Sequence, residues 1–320
     1  MTIYGNKHIT DTLKNMLASG RMAHSFLIYG ETGLGKKTMA QYLAKMLVCE
    51  STIKPCSECR ACRNVENKIH PDVIYVQHTG KLNGFSVDTI RNICTDAYVR
   101  PNNADVKVYI LSDADNITVS AQNSLLKLIE EPPEYVYFIF TAVSKNVFLD
   151  TIISRVISMA VSPVADARCM EALAAAGIDD QTAGQAVEAF GGNIGMCLEY
   201  ACSDDVKKLV QLTKRAADCI IKRDEYALNK CLSEAEADKP AVKKIIFMLD
   251  NIIRDALAGK FDGSMTGCYK DGARELGSVL TMSSCENMHD ACSTAFGLID
   301  KNVNLKLITA SFCSELMTYR

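Results

Sequence analysis

The apolar positions of this chain follow two regimes. Up to residue 161, short continuous apolar runs alternate with segments of helical spacing. Ile9, Leu13, Met16 and Leu17 recur at helical intervals, Ser25 to Tyr29 is a continuous run, and Met39 to Val48 is helical again. Asp72 to Val76, Val106 to Leu111, Tyr135 to Ala142 and Arg155 to Val161 read as further strands. Between them, Val87, Ile90, Ile93, Cys94 and Ala97 mark a helix over 87–99. Thr118 can cap another helix, which runs to Glu131 and stops at Pro132-Pro133. Five apolar strands alternating with helices predict a parallel α/β sheet over residues 20–161.

From Pro163 onward the strand signals disappear. Met170 to Ala176, Ala183 to Phe190 and Asn193 to Cys202 are short helical runs, with Gly191-Gly192 as a break. From Asp204 the helical patterns are longer, interrupted at Lys239-Pro240 and over the Gly-rich stretch from Gly259 to Gly272. Ala241 to Ile253 carries more apolar surface than one isolated helix can bury. The expected organisation is an α/β core over 1–162, a small helical domain over 163–203 and an all-helical domain over 204–320.

Composition narrows the class. A hydrophobic share of 48%, a charged share of 23% and a net charge of −3 describe an ordinary globular chain with no basic excess for nucleic acid. No apolar run approaches the ~20 residues of a membrane helix, and the first residues lack the apolar core of a signal peptide. A cytoplasmic location with no membrane contact is therefore expected. There the 14 cysteines would be buried thiols and metal ligands, not disulfides.

Candidate chemistry begins at the run Gly30-Glu31-Thr32-Gly33-Leu34-Gly35-Lys36-Lys37-Thr38, which lies between a strand and a helix. This is the context of a phosphate-binding loop: glycines turn backbone N–H groups inward, and Lys36 reaches the β/γ-phosphates. The residue after that lysine should be Ser or Thr, to place a hydroxyl on Mg²⁺, but here it is Lys37. A protonated lysine has no lone pair for a metal. Thr38 lies ~100° further round the helix and substitutes poorly. A second part is also altered. The strand 106–111 should present Asp and then Glu, to hold the metal's water shell and position the attacking water. Ser112 and Asp113 stand there instead.

Cys49, Cys56, Cys59 and Cys62 form a C-x6-C-x2-C-x2-C pattern. Four such thiolates close a tetrahedral Zn²⁺ site. An iron–sulfur cluster and a set in which His70 replaces Cys49 are the alternatives; Lys54, Arg60, Arg63 and Lys68 surround the knuckle. Arg155 begins the last expected strand. There it is either a solvated residue or one that crosses to a neighbour's γ-phosphate. The segment Gly192 to Met196 offers no arginine to a nucleotide.

Several of these stretches resemble the bacterial clamp-loader AAA+ family. Val108-Tyr109-Ile110 through Asp115, and Ala121-Gln122-Asn123-Ser124-Leu125-Leu126-Lys127 through Pro133, look like its second signature block. The cysteine knuckle with His70-Pro71-Asp72-Val73, the run His24 to Leu27, Ile153-Ser154-Arg155-Val156 and Asn302 to Leu307 are similar to further family segments. The resemblance covers nearly the whole chain, most specifically residues 20–160. It implies an AAA+ five-stranded sheet core with a zinc knuckle, a small helical lid and a C-terminal helical collar. Within the family, the altered residues at Lys37, Ser112 and 192–196 are similar to the non-hydrolysing delta-prime branch and not to the ATP-hydrolysing gamma/tau branch. The partners so implied are gamma/tau and delta subunits in a hetero-pentameric ring, the sliding clamp and primer–template DNA. Arg155 would act in trans on a neighbour's ATP. Gly30, Gly33, Gly35, Lys36, Lys37, Thr38 and Asp113 would form a degenerate phosphate and Mg²⁺ site, able to bind ATP without hydrolysing it. A short gamma/tau-like ATPase is the alternative.

Overall fold

A computed structural model describes residues 2–79, 84–261, 263, 265–301 and 303–320; Asn302, part of the last family-like segment, lies outside them. The chain forms two compact units, residues 1–164 and 165–320.

The first unit runs α1 (Lys7–Ala18), β1 (Ser25–Tyr29), α2 (Lys36–Val48), α3 (Arg60–Glu66), β2 (Val73–Tyr75), α4 (Val87–Asp96), β3 (Lys107–Leu111), α5 (Val119–Glu130), β4 (Val136–Ala142), α6 (Asp150–Ile153) and β5 (Ile157–Ala160). The five strands make one sheet in the order β2-β3-β4-β1-β5. Every neighbouring pair is parallel. Successive side chains alternate between the faces. Leu27, Tyr109, Leu111, Phe138 and Phe140 pack with α4, α5 and α6 through Ile90, Ile93, Leu125, Leu128 and Ile152. Phe26, Ile28, Val108, Ile110 and Ile139 pack on the opposite side with α1, α2 and α3 through Ile9, Leu13, Leu43 and Val65. Helices on both faces explain why the strands read as continuous apolar runs.

Local signals set most boundaries. Thr118 caps α5, its side chain accepting from the Ala121 N–H, and Ser86 caps α4 in the same way. Helix α4 ends at Asp96, short of the expected Val99. Helix α3 was not anticipated; the Cys59 sulfur caps it by accepting from the Cys62 N–H. The last strand also begins later than expected. The Ser154 and Arg155 N–H groups donate to the Asp150 and Ile152 carbonyls, closing a turn after α6. Arg155 therefore sits in that turn, ahead of β5, and is not a strand residue.

The second unit is entirely helical among its described residues. Helices α7 (Asp166–Ala175), α8 (Asp180–Phe190) and α9 (Ile194–Cys202) pack on one another. They are followed by α10 (Asp204–Lys222), α11 (Glu225–Ser233), α12 (Lys239–Ala258), α13 (Lys270–Val279), α14 (Met282–Asp300) and α15 (Leu305–Thr318). Helix α12 lies against α10, α13 and α14. Its Val242, Ile245, Ile246, Met248, Leu249, Ile252 and Ile253 are all buried. The apolar surplus of this segment is thus absorbed inside its own bundle.

One polar group anchors the start of the sheet. Asp72, fully buried just before β2, accepts N–H groups from Asn102, Asn103 and Ala104 at 2.6, 2.7 and 2.9 Å. Burial opposes ionisation, but these three donors outweigh it and hold the carboxyl below its ordinary value. Replacing Asp72 by Asn should cost about 2–4 kcal/mol at pH 7 in urea unfolding, because charged acceptors are lost from buried donors. The folded-state value lies below the unfolded 3.8, so this stability is present above 3.8 and is lost as the pH falls toward the folded value. The wild-type advantage should shrink over that acid range. A pH-independent difference would contradict an ionised Asp72.

Candidate nucleotide site and cysteine centre

The glycine loop links the carboxyl end of β1 to the first turn of α2. Gly30, Gly33 and Gly35 have φ of 149°, 88° and 85°, a region that side chains other than glycine rarely adopt. At Gly30 a Cβ would also lie 2.5 Å from the Val161 carbonyl oxygen. Lys36 folds back across the loop, and its Nζ donates to the Gly30 and Glu31 carbonyls at 2.7 and 2.9 Å. Burial lowers the Lys36 pKa, against the opposing pull of Asp115 and Asp113.

The positions from which Mg²⁺ ligands would come face each other. Lys37 Nζ lies 2.5 Å from Asp113 Oδ2, pairing the first turn of α2 with the segment that follows β3. Asp113 takes a left-handed conformation, φ 51°, and its N–H donates to Thr141 Oγ1 at 2.9 Å. Of the residues named from the sequence, Lys37 and Asp113 are therefore brought together, and they engage each other. Both side chains are well exposed, so this pair contributes only about 0–1 kcal/mol to folding. Its consequence is chemical: an ammonium stands where a metal-binding hydroxyl would be.

Other residues of the region were not evident beforehand. Asp115 accepts the Val143 N–H at 2.7 Å, and burial raises its pKa. Its only sequence signal was its place in the Ser112-Asp113-Ala114-Asp115 run. Thr141, fully buried in β4, carried no signal at all. His78 donates through Nε2 to the Ser112 carbonyl at 2.7 Å.

Arg155 is exposed. Its Nη2 pairs with Glu130 Oε1 at 2.9 Å, and its Nη1 donates to the Thr151 carbonyl at 2.8 Å and to Ser154 Oγ at 3.1 Å. The preceding loop is held by Gln122 of α5. The Gln122 Nε2 donates to the Ile117 and Val147 carbonyls, and its Oε1 accepts the Leu149 N–H at 2.7 Å.

The four cysteines form one cluster, with all sulfurs within 4.8 Å of one another. Cys49 Sγ lies 3.6 Å from Cys56 Sγ and 4.0 Å from Cys59 Sγ. A tetrahedron with Zn–S bonds of about 2.3 Å has edges of roughly 3.8 Å, so the donor set fits Zn²⁺ with no open position. The N–H groups of Cys56, Cys59 and Cys62 point at the sulfurs of Cys49, Cys56 and Cys59, which favours thiolates. The Cys59 and Glu58 N–H groups pull the Cys56 thiol down to about 6. His70 stands outside this set: its Nδ1 accepts the Asp72 N–H at 3.1 Å. The knuckle is tied to α2 by buried Lys45, whose Nζ meets Glu66 Oε2 of α3 at 2.6 Å.

A family model described as DNA polymerase III, delta subunit, matches residues 5–165. DNA polymerase III subunit gamma of Buchnera aphidicola subsp. Acyrthosiphon pisum is 36% identical over 155 residues, 48% of this chain and 42% of that protein. Subunit tau of Bacillus subtilis is 37% identical over 155 residues, 48% of this chain and 27% of that protein. The chain thus spans less than half the length of these curated relatives. Among solved structures, a DNA polymerase III gamma subunit-related protein from Thermotoga maritima aligns over 96% of this chain and 99% of that one, at 17% identity and a TM-score of 0.43.

The purified protein should carry a single zinc ion, measured by elemental analysis. Cys59→Ser should lose it and lower the melting temperature, since metal binding to such a site is coupled to folding. Full zinc content in Cys59→Ser would rule out a site closed by these four cysteines.

Proposed function

This chain belongs to the DNA polymerase III, delta subunit, family, and on that premise we propose that it is a delta-prime-type clamp-loader subunit that does not hydrolyse ATP. The observation that carries this reading is the Lys37–Asp113 ion pair. Hydrolysis by a phosphate-loop enzyme needs a divalent ion beside the loop and an acidic residue to position water. Here the ammonium repels the ion and engages the acid, and Ser112 supplies no anion. The subunit would serve as a stator, contributing shape to a hetero-pentameric ring with gamma/tau and delta subunits. That ring would open the sliding clamp and place it on primer–template DNA. The four-cysteine centre would hold structural Zn²⁺. The unit over 165–320 would comprise the small lid to residue 203 and the collar from 204. Arg155 would reach across to ATP on a neighbouring subunit, where a guanidinium stabilises charge on the transferring phosphoryl group. Its standing at the surface, in a turn braced through Gln122, suits that role.

A gamma/tau-like ATPase is the second reading. It is favoured by the names of the relatives, which are gamma and tau subunits. ATP turnover by the isolated chain, with primed DNA and clamp present, separates the two. No turnover is expected, and turnover abolished by Lys36→Ala would establish the second reading. In a reconstituted loader, Arg155→Ala should leave assembly intact and slow hydrolysis at the served site by on the order of 10³-fold. An unchanged rate in an intact complex would remove Arg155 from the mechanism.

A further inference from the structure

A polar cleft of about 540 Å³ lies between the last turn of α2, the start of α3 and the segment 102–105, beside the amino ends of β2 and β3. The glycine loop is at the other end of this parallel sheet, and the 13 residues of α2 separate the two by about 20 Å. One wall of the cleft is His70, only 6% exposed. Its Nδ1 accepts the Asp72 N–H at 3.1 Å, so the ring proton is on Nε2. That N–H has no acceptor among the described residues, yet they do not seal it in, so it gives onto the cleft. A donor on so buried a side chain calls for a partner from outside the chain.

The charged walls of the cleft ask for both signs. Lys54 and Arg60 bring two cations, Glu50 and Asp105 two anions. None of the four makes a hydrogen bond or ion pair through its side chain among the described residues. Helix α2 ends at Val48, which adds the negative end of a helix to the acidic groups. A polyanion such as nucleic acid would meet as much repulsion here as attraction. A ligand that carries an ammonium and a carboxylate satisfies both sets, and His70 Nε2 offers a neutral donor to a carboxylate oxygen. The volume lies within the roughly 300–1,000 Å³ of small-molecule clefts.

We infer that this cleft binds a small zwitterion, an α-amino acid or a short peptide with both termini free. Its carboxylate meets His70 Nε2, Lys54 and Arg60, and its ammonium meets Glu50, Asp105 and the end of α2. The inference stands apart from the clamp-loader reading, and its failure would leave that reading untouched.

Calorimetric titration of the full chain tests this with each of the twenty α-amino acids and the corresponding glycyl dipeptides. Saturable binding by at least one of them is expected, and tighter binding of a free amino acid or of a dipeptide assigns the ligand to that source. The N-acetyl and methyl-ester forms of the best ligand should each bind roughly tenfold more weakly, since each removes one charge. His70→Asn keeps an acceptor for the Asp72 N–H but withdraws the Nε2 donor, and should weaken binding by a similar factor with the zinc content unchanged. If that variant does not fold, Arg60→Gln at the exposed start of α3 decides in its place, with the same weakening expected. In imidazole ¹⁵N spectra the His70 Nε2 resonance should move on titration. No binding across the panel, equal binding of the acetylated or esterified form, wild-type affinity in the variants or an unmoved His70 resonance would overturn the inference.

Discussion

A parallel sheet must be covered on both faces, and this constraint shapes the first unit. Phe138 and Phe140 face one layer of helices while Ile139 between them faces the other. With both faces given largely to apolar packing, little room is left along the strands for polar chemistry. It is displaced to their carboxyl ends, where β1 opens into the glycine loop, β3 into Asp113 and β4 ends just beyond Thr141. The same geometry brings together residues far apart in sequence, because parallel register aligns the strand ends. Tyr29 of β1 lies beside Ala142 of β4, and Leu111 of β3 beside Phe140.

At that edge, charge decides what chemistry is available. On the proposed reading, a loop of positive-φ glycines closed by Lys36 would be a place for phosphate. On the same reading, two lysines in succession, with Asp113 drawn onto the second, would disfavour a divalent cation. The ion pair is worth little as stability, since both partners are exposed. Its effect is to occupy geometry. Arg155 illustrates the converse: a cation that local contacts with Glu130 and Thr151 keep at the surface, in a turn whose approach is pinned by a buried amide.

The cysteine knuckle is a second local solution to a packing problem. A loop of this kind has little apolar side chain with which to fold itself. The cluster of four cysteine sulfurs, N–H···S bonds and the contact of buried Lys45 with Glu66 take over that task and hold α3 against α2. On the other side, Asp72 closes the turn that brings residues 102–104 to the base of the sheet.

Much of this was legible in the residues themselves. Continuous apolar runs indicated strands, Thr118 and Pro132-Pro133 bounded α5, and cysteine spacing pointed to the cluster of four sulfurs. Each of these signals lies within a few residues of what it controls. Tertiary structure was needed wherever the partner comes from another element. No spacing relates Lys37 to Asp113, Arg155 to Glu130, or Thr141 to the Asp113 amide; the folded chain makes them neighbours. The apolar surplus of α12 likewise read as surface in search of a partner until α10, α13 and α14 were seen to cover it. Periodicity records which face of a helix avoids water, but only the assembled fold determines what lies against that face.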